Sequence, residues 1–344
     1  MSVSDFRSDT VTRPCSAMRE CMATAEVGDD VLDGDPSVRA LEDAVAAWLG
    51  KERALFVPSG TMANQVAVGA WCRPGDELVA QTDAHIVLYE AGALAALHGV
   101  QSVTLPGRGG IYSRDELSAV VRPAYVHCAR TALVCVEQTH MAAGGRVLPQ
   151  DAVDAVDERA HAAGARVHVD GARLANAEAK SGRPASELVG AADSVSICFS
   201  KGLGAPVGSA VAGSAEFVER ALPVRKRLGG WMRQAGVLAA PALWALEHNR
   251  ARLADDHDLA QGLAATLDRF RGLQSRPEDV ETNIVIVRIE PPAPDAYALA
   301  SSLEERGVRA LPLAPDVLRF VTHRDVGPED LARLESVLDE LWRS

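Results

Sequence analysis

Two stretches of the chain decide the fold: Val167-His-Val-Asp170-Gly-Ala-Arg173 and Ser194-Val-Ser-Ile-Cys-Phe-Ser200-Lys201-Gly-Leu-Gly204. Each one is a short apolar run, typical of a buried strand, that ends in polar side chains. Ligands of open α/β sheets bind outside the carboxyl ends of the strands. We therefore expect Asp170 and Lys201 to face one cleft.

The pattern around these stretches predicts an α/β fold with a mainly parallel sheet. A helix predicted over residues 150–163 separates two strand-like runs, and a helix-length crossover is typical of parallel pairing. Six strands are predicted at 54–57, 77–80, 132–136, 167–169, 194–199 and 209–212, and two further helices at 36–50 and 62–71. A long helical stretch over 232–270 is predicted to be interrupted by the charged residues 255–258.

The last part of the chain predicts a small α+β domain. Its pattern consists of a strand at 284–287, a helix at 295–306, a strand at 318–321 and a helix at 328–342. We expect residues 1–250 to hold the amino-terminal segment and the large domain, and residues 251–344 to form the small carboxy-terminal domain.

Composition limits the possible partners. The chain has 344 residues, of which 47% are hydrophobic and 24% charged, as in an ordinary globular protein. With 35 basic and 47 acidic residues its net charge is −12, which gives no global support for binding nucleic acid or an anionic membrane. The six cysteines have no regular spacing, and the amino terminus lacks the apolar stretch of a signal peptide. We expect a cytoplasmic protein without nucleic-acid or membrane partners.

Asp170 and Lys201 together suggest the cofactor pyridoxal phosphate. This cofactor needs a lysine for its Schiff base and an anion that keeps its pyridine nitrogen protonated. Gly60 and Thr61 follow a strand and open a helix, where a phosphate group can bind, and His168 could orient Asp170. Alternatives for single residues are a solvated Lys201 and an Asp170 that caps a turn. The glycines after Lys201 do not fit the dinucleotide fingerprint, since their spacing is one residue too long.

Ordered motifs over nearly the whole chain resemble the L-threonine aldolase family of fold-type I pyridoxal phosphate enzymes, within the β-eliminating lyase group. The motifs are Phe6-Arg-Ser8-Asp-Thr-Val-Thr-Arg-Pro14, Val27-Gly-Asp-Asp30, Pro58-Ser-Gly60-Thr61-Met-Ala-Asn64, Ala84-His85, His168-Val-Asp170-Gly-Ala-Arg173, Ser200-Lys201-Gly-Leu-Gly-Ala-Pro-Val-Gly208, Met232-Arg233-Gln234 and Arg319-Phe-Val-Thr-His323. The resemblance implies an aspartate aminotransferase-like fold.

The resemblance also implies roles around the cofactor. Lys201 would hold it covalently, Asp170 would pair with the pyridine nitrogen, and His85 would stack on the ring. Arg173 would lie near the ring hydroxyl. The phosphate positions would be Gly60, Thr61 and Ser200, with Lys226 and Arg233 reaching the phosphate from a neighbouring subunit. The active site would thus be shared within a homo-oligomer, a dimer at least and a tetramer by family resemblance.

For the substrate, the resemblance implies an amino acid whose carboxylate is held by Ser8, Arg173 and Arg319. His127 and Tyr89 would lie near its β-substituent. The implied reaction cleaves L-threonine or L-allo-threonine reversibly into glycine and acetaldehyde. The proton acceptor for the β-hydroxyl group stays open among His85, His127 and a bound water, and the presence of a metal ion stays open as well.

Several positions depart from the family pattern and leave the substrate open. Leu32 and Asp33 stand where the family has Tyr and Gly, Gln138 and Met141 replace an Asn at one or both positions, and Trp231 stands at a common glycine. A phenylserine-type substrate is one alternative. Another is a β-elimination, racemisation or transamination with the same cofactor, and a third is a binding protein without activity.

Overall fold

A seven-stranded, mostly parallel sheet forms the centre of the protein, here a computed structural model that describes residues 3–343. Met1 and Ser2 of the amino terminus discussed above, and Ser344, lie outside the described residues. In chain order the strands are β1 (Ser4–Asp5), β2 (Arg53–Val57), β3 (Glu77–Gln81), β4 (Gln101–Leu105), β5 (Thr131–Glu137), β6 (Arg166–Gly171), β7 (Ser194–Cys198), β8 (Ser209–Gly213), β9 (Leu273–Gln274), β10 (Ile284–Ile289), β11 (Val308–Arg309), β12 (Leu311–Ala314) and β13 (Val317–Val321). The central sheet has the order β2-β8-β7-β6-β5-β3-β4, in which only β8 runs antiparallel to its neighbours. The predicted mainly parallel sheet is confirmed.

Helices cover both faces of this sheet, and the last three helices of the chain pack with a second sheet. They are α1 (Ser16–Thr24), α2 (Pro36–Leu49), α3 (Gly60–Trp71), α4 (His85–Leu88), α5 (Ala93–His98), α6 (Arg114–Val120), α7 (Gln150–Ala162), α8 (Leu174–Ser181), α9 (Ala185–Leu188), α10 (Ala215–Arg227), α11 (Gly236–Asn249), α12 (Leu253–Leu267), α13 (Ala296–Glu305) and α14 (Pro328–Arg343). Strands β3, β5, β7 and β8 are buried at every residue. Such double-sided burial requires the near-continuous apolar runs found in the sequence.

Local signals explain where helices begin and end. Asp35 caps α2 by accepting hydrogen bonds from the N–H groups of Ser37 and Val38, and Pro36 occupies the first turn. Gly50 ends the helix in the left-handed conformation, with φ of 63°, which glycine adopts without the usual steric cost. The predicted helix over residues 36–50 is thereby confirmed.

The predicted interruption at residues 255–258 is wrong. The long helical stretch breaks earlier, at residues 250–252, between α11 and α12. Asp255 and Asp256 lie in the first turn of α12, where the helix dipole favours negative charge. Asp256 also forms an ion pair with Arg252, one turn before it. The acidic run therefore begins a helix.

A second, antiparallel sheet of order β12-β13-β10-β9 packs with α12, α13 and α14. Its predicted strands and helices are confirmed within one or two residues. The amino-terminal segment joins this part of the molecule, because β1 pairs in parallel with β11 and Phe6 packs on Phe320 with ring centroids 6.2 Å apart. The division at residue 250 stays a prediction.

All six cysteines are free thiols. Over residues 3–343, no helix combines the length and the apolar character that crossing a bilayer would require.

Candidate active site

One edge of the central sheet gathers the predicted site residues. The parallel strands β2, β3, β5, β6 and β7 all end there, and β8 begins there with Ser209. The segments that follow these strand ends carry Gly60, His85, Arg173 and Lys201. The topology thus brings residues far apart in sequence to one place, as expected for an open α/β sheet.

Asp170, at the end of β6, is a buried anion held by hydrogen bonds. Its Oδ2 accepts from the Asn64 amide at 2.7 Å and its Oδ1 from the Ala172 N–H at 3.1 Å. Burial by itself would raise its pKa, but the nearby charge of Lys201, followed by that of His85, lowers it below the ordinary value. Asp170 therefore presents a carboxylate to the cleft.

His168 orients Asp170 through Asn64, not directly as the sequence suggested. One ring nitrogen of His168 lies 2.9 Å from Ser194 Oγ and the other 3.1 Å from Asn64 Oδ1. Burial lowers the pKa of His168 to about 4, so the ring is neutral. Ser196 Oγ also donates to Asn64 Oδ1, at 2.7 Å. These two donors fix the amide so that its NH₂ group points at carboxylates.

His85 begins α4 beside a second buried carboxylate, Glu90. His85 Nδ1 lies 3.0 Å from Glu90 Oε1, and Glu90 also accepts hydrogen bonds from the amides of Asn64 and Gln65. The hydrogen bond to Glu90 raises the pKa of His85. The backbone N–H of His85 donates to Glu137 Oε2 at 2.7 Å, which fixes the start of the helix.

Lys201 follows β7 and is half-buried. Its charge helps to lower the pKa values of Asp170 and Asp9 and opposes the rise at His85, so Lys201 lies within electrostatic range of all three. The amino-terminal segment holds the backbone of Lys201 in place, since Thr12 Oγ1 donates to the Lys201 carbonyl at 3.2 Å. The predicted meeting of Lys201, Asp170 and His85 is present in the structure.

Arg173 is bound by a partner that sequence reasoning missed. Its Nε and Nη2 donate to the two carboxylate oxygens of Asp9 at 2.8 and 2.7 Å, and both side chains are buried. Asn283 Nδ2 donates to the same carboxylate. Burial alone would lower the pKa of Arg173, but the charge of Asp9 outweighs it and raises the pKa. The pair ties the amino terminus to the sheet edge.

Arg319, on β13, carries a buried positive charge without an acidic partner among residues 3–343. Its Nη2 donates to the Arg7 carbonyl at 3.1 Å and its Nη1 lies 3.3 Å from Met141 Sδ, while Nε has no acceptor. Burial and the neighbouring Arg173 lower the pKa of Arg319. A guanidinium in this state favours a bound anion, and its fork fits a carboxylate.

Comparison with known proteins assigns the chain to a family. Residues 5–290 match the family model described as β-eliminating lyase. The chain belongs to the β-eliminating lyase family. It is similar to low-specificity L-threonine aldolase 1 of Arabidopsis thaliana, with 43% identity over 95% of this chain and 93% of that protein. Low specificity L-threonine aldolase of Escherichia coli strain K12 is 42% identical, with 96% of each chain covered. The resemblance to the threonine aldolases and the prediction of a carbon–carbon lyase are confirmed.

A solved structure supports the fold class. Threonine aldolase of Leishmania major superposes with a TM-score of 0.85 at 20% identity, covering 98% of this chain and 99% of that one. At this identity the likeness speaks for the fold alone. The predicted fold-type I, aspartate aminotransferase-like architecture is confirmed.

The predicted phosphate positions of this lyase surround the start of α3. Ser59 accepts hydrogen bonds from the N–H groups of Met62 and Ala63, whereas the N–H groups of Gly60 and Thr61 have no acceptor inside the helix. Ser209 Oγ is buried without a partner among the described residues, and a β-carbon added at Gly60 would lie 3.7 Å from it. Ser200 Oγ lies 3.5 Å from Cys198 Sγ. Unfilled donors thus meet at a helix amino terminus, which suits an anion.

Lys226 and Arg233 have other neighbours within their own chain. Lys226 is exposed, with its Nζ 5.8 Å from the centre of the Trp231 ring. Arg233 is exposed and forms an ion pair with Asp29 at 2.9 Å. Trp231 donates to the Asp30 carbonyl at 3.2 Å. None of the contacts described for these two cations reaches Lys201, Asp170 or Gly60.

The predicted substrate residues divide into two groups. Ser8 caps a turn of 3₁₀ helix at Asp9–Val11, beside the Asp9–Arg173 pair. The exposed Tyr89 ring lies 5.7 Å from the His85 ring. His127 instead lies in the exposed loop before β5, with its ring 5.3 Å from that of Tyr125, and its described contacts do not reach the other site residues.

The positions that depart from the family pattern differ in their surroundings. Gln138 is buried and accepts a hydrogen bond from the Leu148 N–H, and Met141 contacts Arg319. Leu32 and Asp33 lie in an exposed loop, where 76% of Leu32 is exposed.

A metal ion is one further possibility for the acidic side of the site. Ligand atoms of His85, Glu90 and Asp170 all lie within 4.8 Å of one another. However, the Asn64 amide donates to both carboxylates, and Gln65 donates to Glu90. Hydrogen-bond donors therefore already occupy these oxygens, and the group forms a connected polar network.

Sequence reasoning missed the partners of the predicted site residues: Asn64, Gln65 and Glu90 in this network, and Asp9 beside Arg173. Asn64 and Asp9 stand inside motifs that carry the family resemblance, but their chemistry showed only in their partners. Glu90 had one usable signal, since an acidic residue five positions after His85 lies just beyond a short helix.

Proposed function

We propose that this protein is a pyridoxal phosphate-dependent aldolase that cleaves L-threonine and L-allo-threonine into glycine and acetaldehyde. The observation that carries the proposal is that Arg319 is a buried cation without an acidic partner among the described residues. It lies within electrostatic range of Arg173 and Tyr89, which follow the strand ends at the edge that also carries Lys201 and Asp170. The names of the relatives from A. thaliana and E. coli support the same activity.

The residues present fit the proposed cofactor. The Asp170 carboxylate matches a protonated pyridine nitrogen, and the unpaired Ser209 hydroxyl with the free N–H groups of Gly60 and Thr61 matches a phosphate. Lys201 provides an amine within electrostatic range of Asp170, and His85 provides a ring near the same carboxylate. When bound there, pyridoxal phosphate supplies an electron sink for the pair released as the Cα–Cβ bond breaks.

The chain's own residues would then bind and orient the amino acid. Arg319 Nε and one Nη would receive the substrate carboxylate, with Ser8 beside it. Two of the three guanidinium nitrogens of Arg173 are engaged by Asp9, which leaves Nη1 for the substrate. Tyr89 lies within electrostatic range of Arg319 and its ring is 5.7 Å from that of His85, so a substrate held by its carboxylate would have both side chains as neighbours.

A homodimer would complete the site, and a tetramer is the expected assembly. Lys226 and Arg233 of a neighbouring copy would add positive charge at the phosphate. Exposed apolar side chains near α4 and α5 support such a contact, with Leu88 at 52%, Tyr89 at 53% and Leu97 at 54% exposure. A cavity of about 390 Å³, lined by Thr61, Met62, Gln65, Glu90 and Leu97 among others, lies beside the phosphate position. The cytoplasmic location and the division at residue 250 belong to the same proposal.

The decisive experiment is a product assay with purified protein and added pyridoxal phosphate. L-threonine, L-allo-threonine, their D-isomers and L-phenylserine are compared, and glycine and aldehyde are measured together. We expect equal amounts of both products from the L-isomers. Pyruvate, another oxo acid or an inverted amino acid in place of the aldehyde would replace the aldolase assignment by an elimination, transamination or racemisation.

A further inference from the structure

The proposed aldolase function, on which this inference rests, needs a proton acceptor in the site. Cleavage requires removal of the proton from the substrate's β-hydroxyl group. Three candidates exist for the acceptor: His85, His127 and a water. The surroundings of the two histidines differ, since His85 is in contact with a buried carboxylate, whereas His127 is exposed next to Tyr125.

The hydrogen bonds of Glu90 define its charge. Both of its oxygens receive N–H donors, with Asn64 Nδ2 at 2.8 Å from Oε1 and Gln65 Nε2 at Oε2. An amide NH₂ group can only donate, so both Glu90 oxygens act as acceptors in these two hydrogen bonds, as those of an ionised carboxylate do. The Glu90 side chain is fully buried, and its third donor is His85 Nδ1 at 3.0 Å. The proton between them therefore resides on the histidine.

This contact fixes the tautomer of His85. With Nδ1–H directed at Glu90, the neutral ring carries its lone pair on Nε2, and 32% of the side chain remains exposed. A buried carboxylate behind a histidine holds the ring in position and stabilises the imidazolium that forms after proton uptake. His127 has no such carboxylate among its described contacts.

We propose that Glu90 is a positioning residue that makes His85 Nε2 the acceptor of the β-hydroxyl proton. In the step, the proton moves from the substrate oxygen to Nε2, and the O–H electron pair becomes the second bond of the aldehyde C=O. Pyridoxal phosphate, when bound, would supply the electron sink for the Cα–Cβ pair. Cα then takes up a proton, which yields glycine, and His85 returns its proton to solvent. No other reactant is consumed.

The charges that face His85 come from every side. Glu90 accepts from Nδ1, Asp170 and Lys201 act on the ring through their charges, Glu137 accepts the His85 backbone N–H, and the Tyr89 ring lies 5.7 Å away. Of these, Glu90 makes the direct side-chain hydrogen bond and raises the pKa of His85. Removing the Glu90 charge should therefore move the protonation equilibrium of His85 to lower pH.

The test compares Glu90→Gln and Glu90→Asp with wild type. The pH dependence of diethyl pyrocarbonate modification at His85, followed by mass spectrometry on cofactor-free protein, reports the neutral imidazole without any activity measurement. We expect E90Q to lower the His85 midpoint by about one pH unit, a tenfold change in the protonation constant. In the holoenzyme kcat should fall at least about tenfold with KM changed less than about threefold, since proton transfer typically contributes 10²-fold or more. E90D, which keeps the carboxylate, should lie between E90Q and wild type.

Glu77→Gln is the matched control. Glu77 is also a buried carboxylate held by two hydrogen bonds, from Thr131 and Arg122, but it lies at the opposite end of β3. It should leave the His85 midpoint and kcat unchanged. An unmoved His85 midpoint in E90Q and E90D, or a shifted midpoint with wild-type kcat, would overturn the inference, and E90D alone decides if E90Q does not fold. Wild-type protein that releases no aldehyde would instead refute the proposed function, while the modification experiment still decides the Glu90–His85 contact.

Discussion

Replacing Arg319 by methionine separates substrate binding from folding. The substitution keeps an unbranched side chain of similar length next to Met141 but removes the guanidinium. The proposed substrate carboxylate would lose two charge-assisted hydrogen bonds, each worth about 1.5–3 kcal/mol. A loss of about 3 kcal/mol corresponds to a roughly 150-fold higher KM.

The expected effect on stability has the opposite sign. Arg319 is 8% exposed, lies beside Arg173 and has an unpaired Nε. Without substrate its charge is thus desolvated and uncompensated, which costs free energy of folding. We expect the cofactor-free R319M protein to unfold at the same or a higher urea concentration than wild type.

The assay measures KM for L-threonine, the dissociation constant of pyridoxal phosphate and the urea midpoint in parallel. Arg288→Met is the control, because Arg288 lies on the neighbouring strand β10 but is largely exposed with Asp316 as partner. We expect R319M to change the cofactor affinity less than about threefold, within the usual variation of a remote substitution. A KM within threefold of wild type would refute the reasoning and remove Arg319 from the carboxylate site.

Three further predictions address the amino terminus, the phosphate position and the assembly. Asp9→Asn leaves Arg173 as a buried unpaired charge and should destabilise the protein by about 3–5 kcal/mol in urea unfolding at pH 7. Burial alone would raise the Asp9 pKa, but Arg173 lowers it, so the stability that the pair contributes is complete above about pH 4 and is lost as the pH falls further. A stability difference between D9N and wild type that does not shrink towards pH 2 would contradict this. Ser209→Ala removes a buried unpaired hydroxyl and should leave the cofactor-free protein as stable as wild type or about 1 kcal/mol more stable, yet weaken pyridoxal phosphate binding roughly tenfold in a spectroscopic titration; unchanged affinity would exclude Ser209 from the phosphate site. Lys201→Ala and Arg233→Ala should each be inactive, and co-expression should restore about a quarter of the active sites if Arg233 acts across a two-fold interface, whereas recovery no greater than in the parents would place Arg233 elsewhere.

Local sequence patterns were sufficient for most of the fold. The apolar runs ending in Asp170 and before Ser200 predicted β6 and β7 because double-sided burial leaves a continuous apolar signature. The break between α11 and α12 was misplaced because a cluster of aspartates can either interrupt a helix or begin one. Packing against the rest of the molecule decided between the two.

The sequence by itself determined the candidates for the chemistry of the site: Lys201, Asp170, His85 and Arg319 stand in motifs whose residue types have few other uses together. Only the tertiary structure decided how these groups are held and charged. Asp9 binds Arg173 and Asn64 joins Asp170 to Glu90 across large separations in the chain. The strength of such contacts depends on distance, burial and competing partners, which exist only after strands and helices pack together.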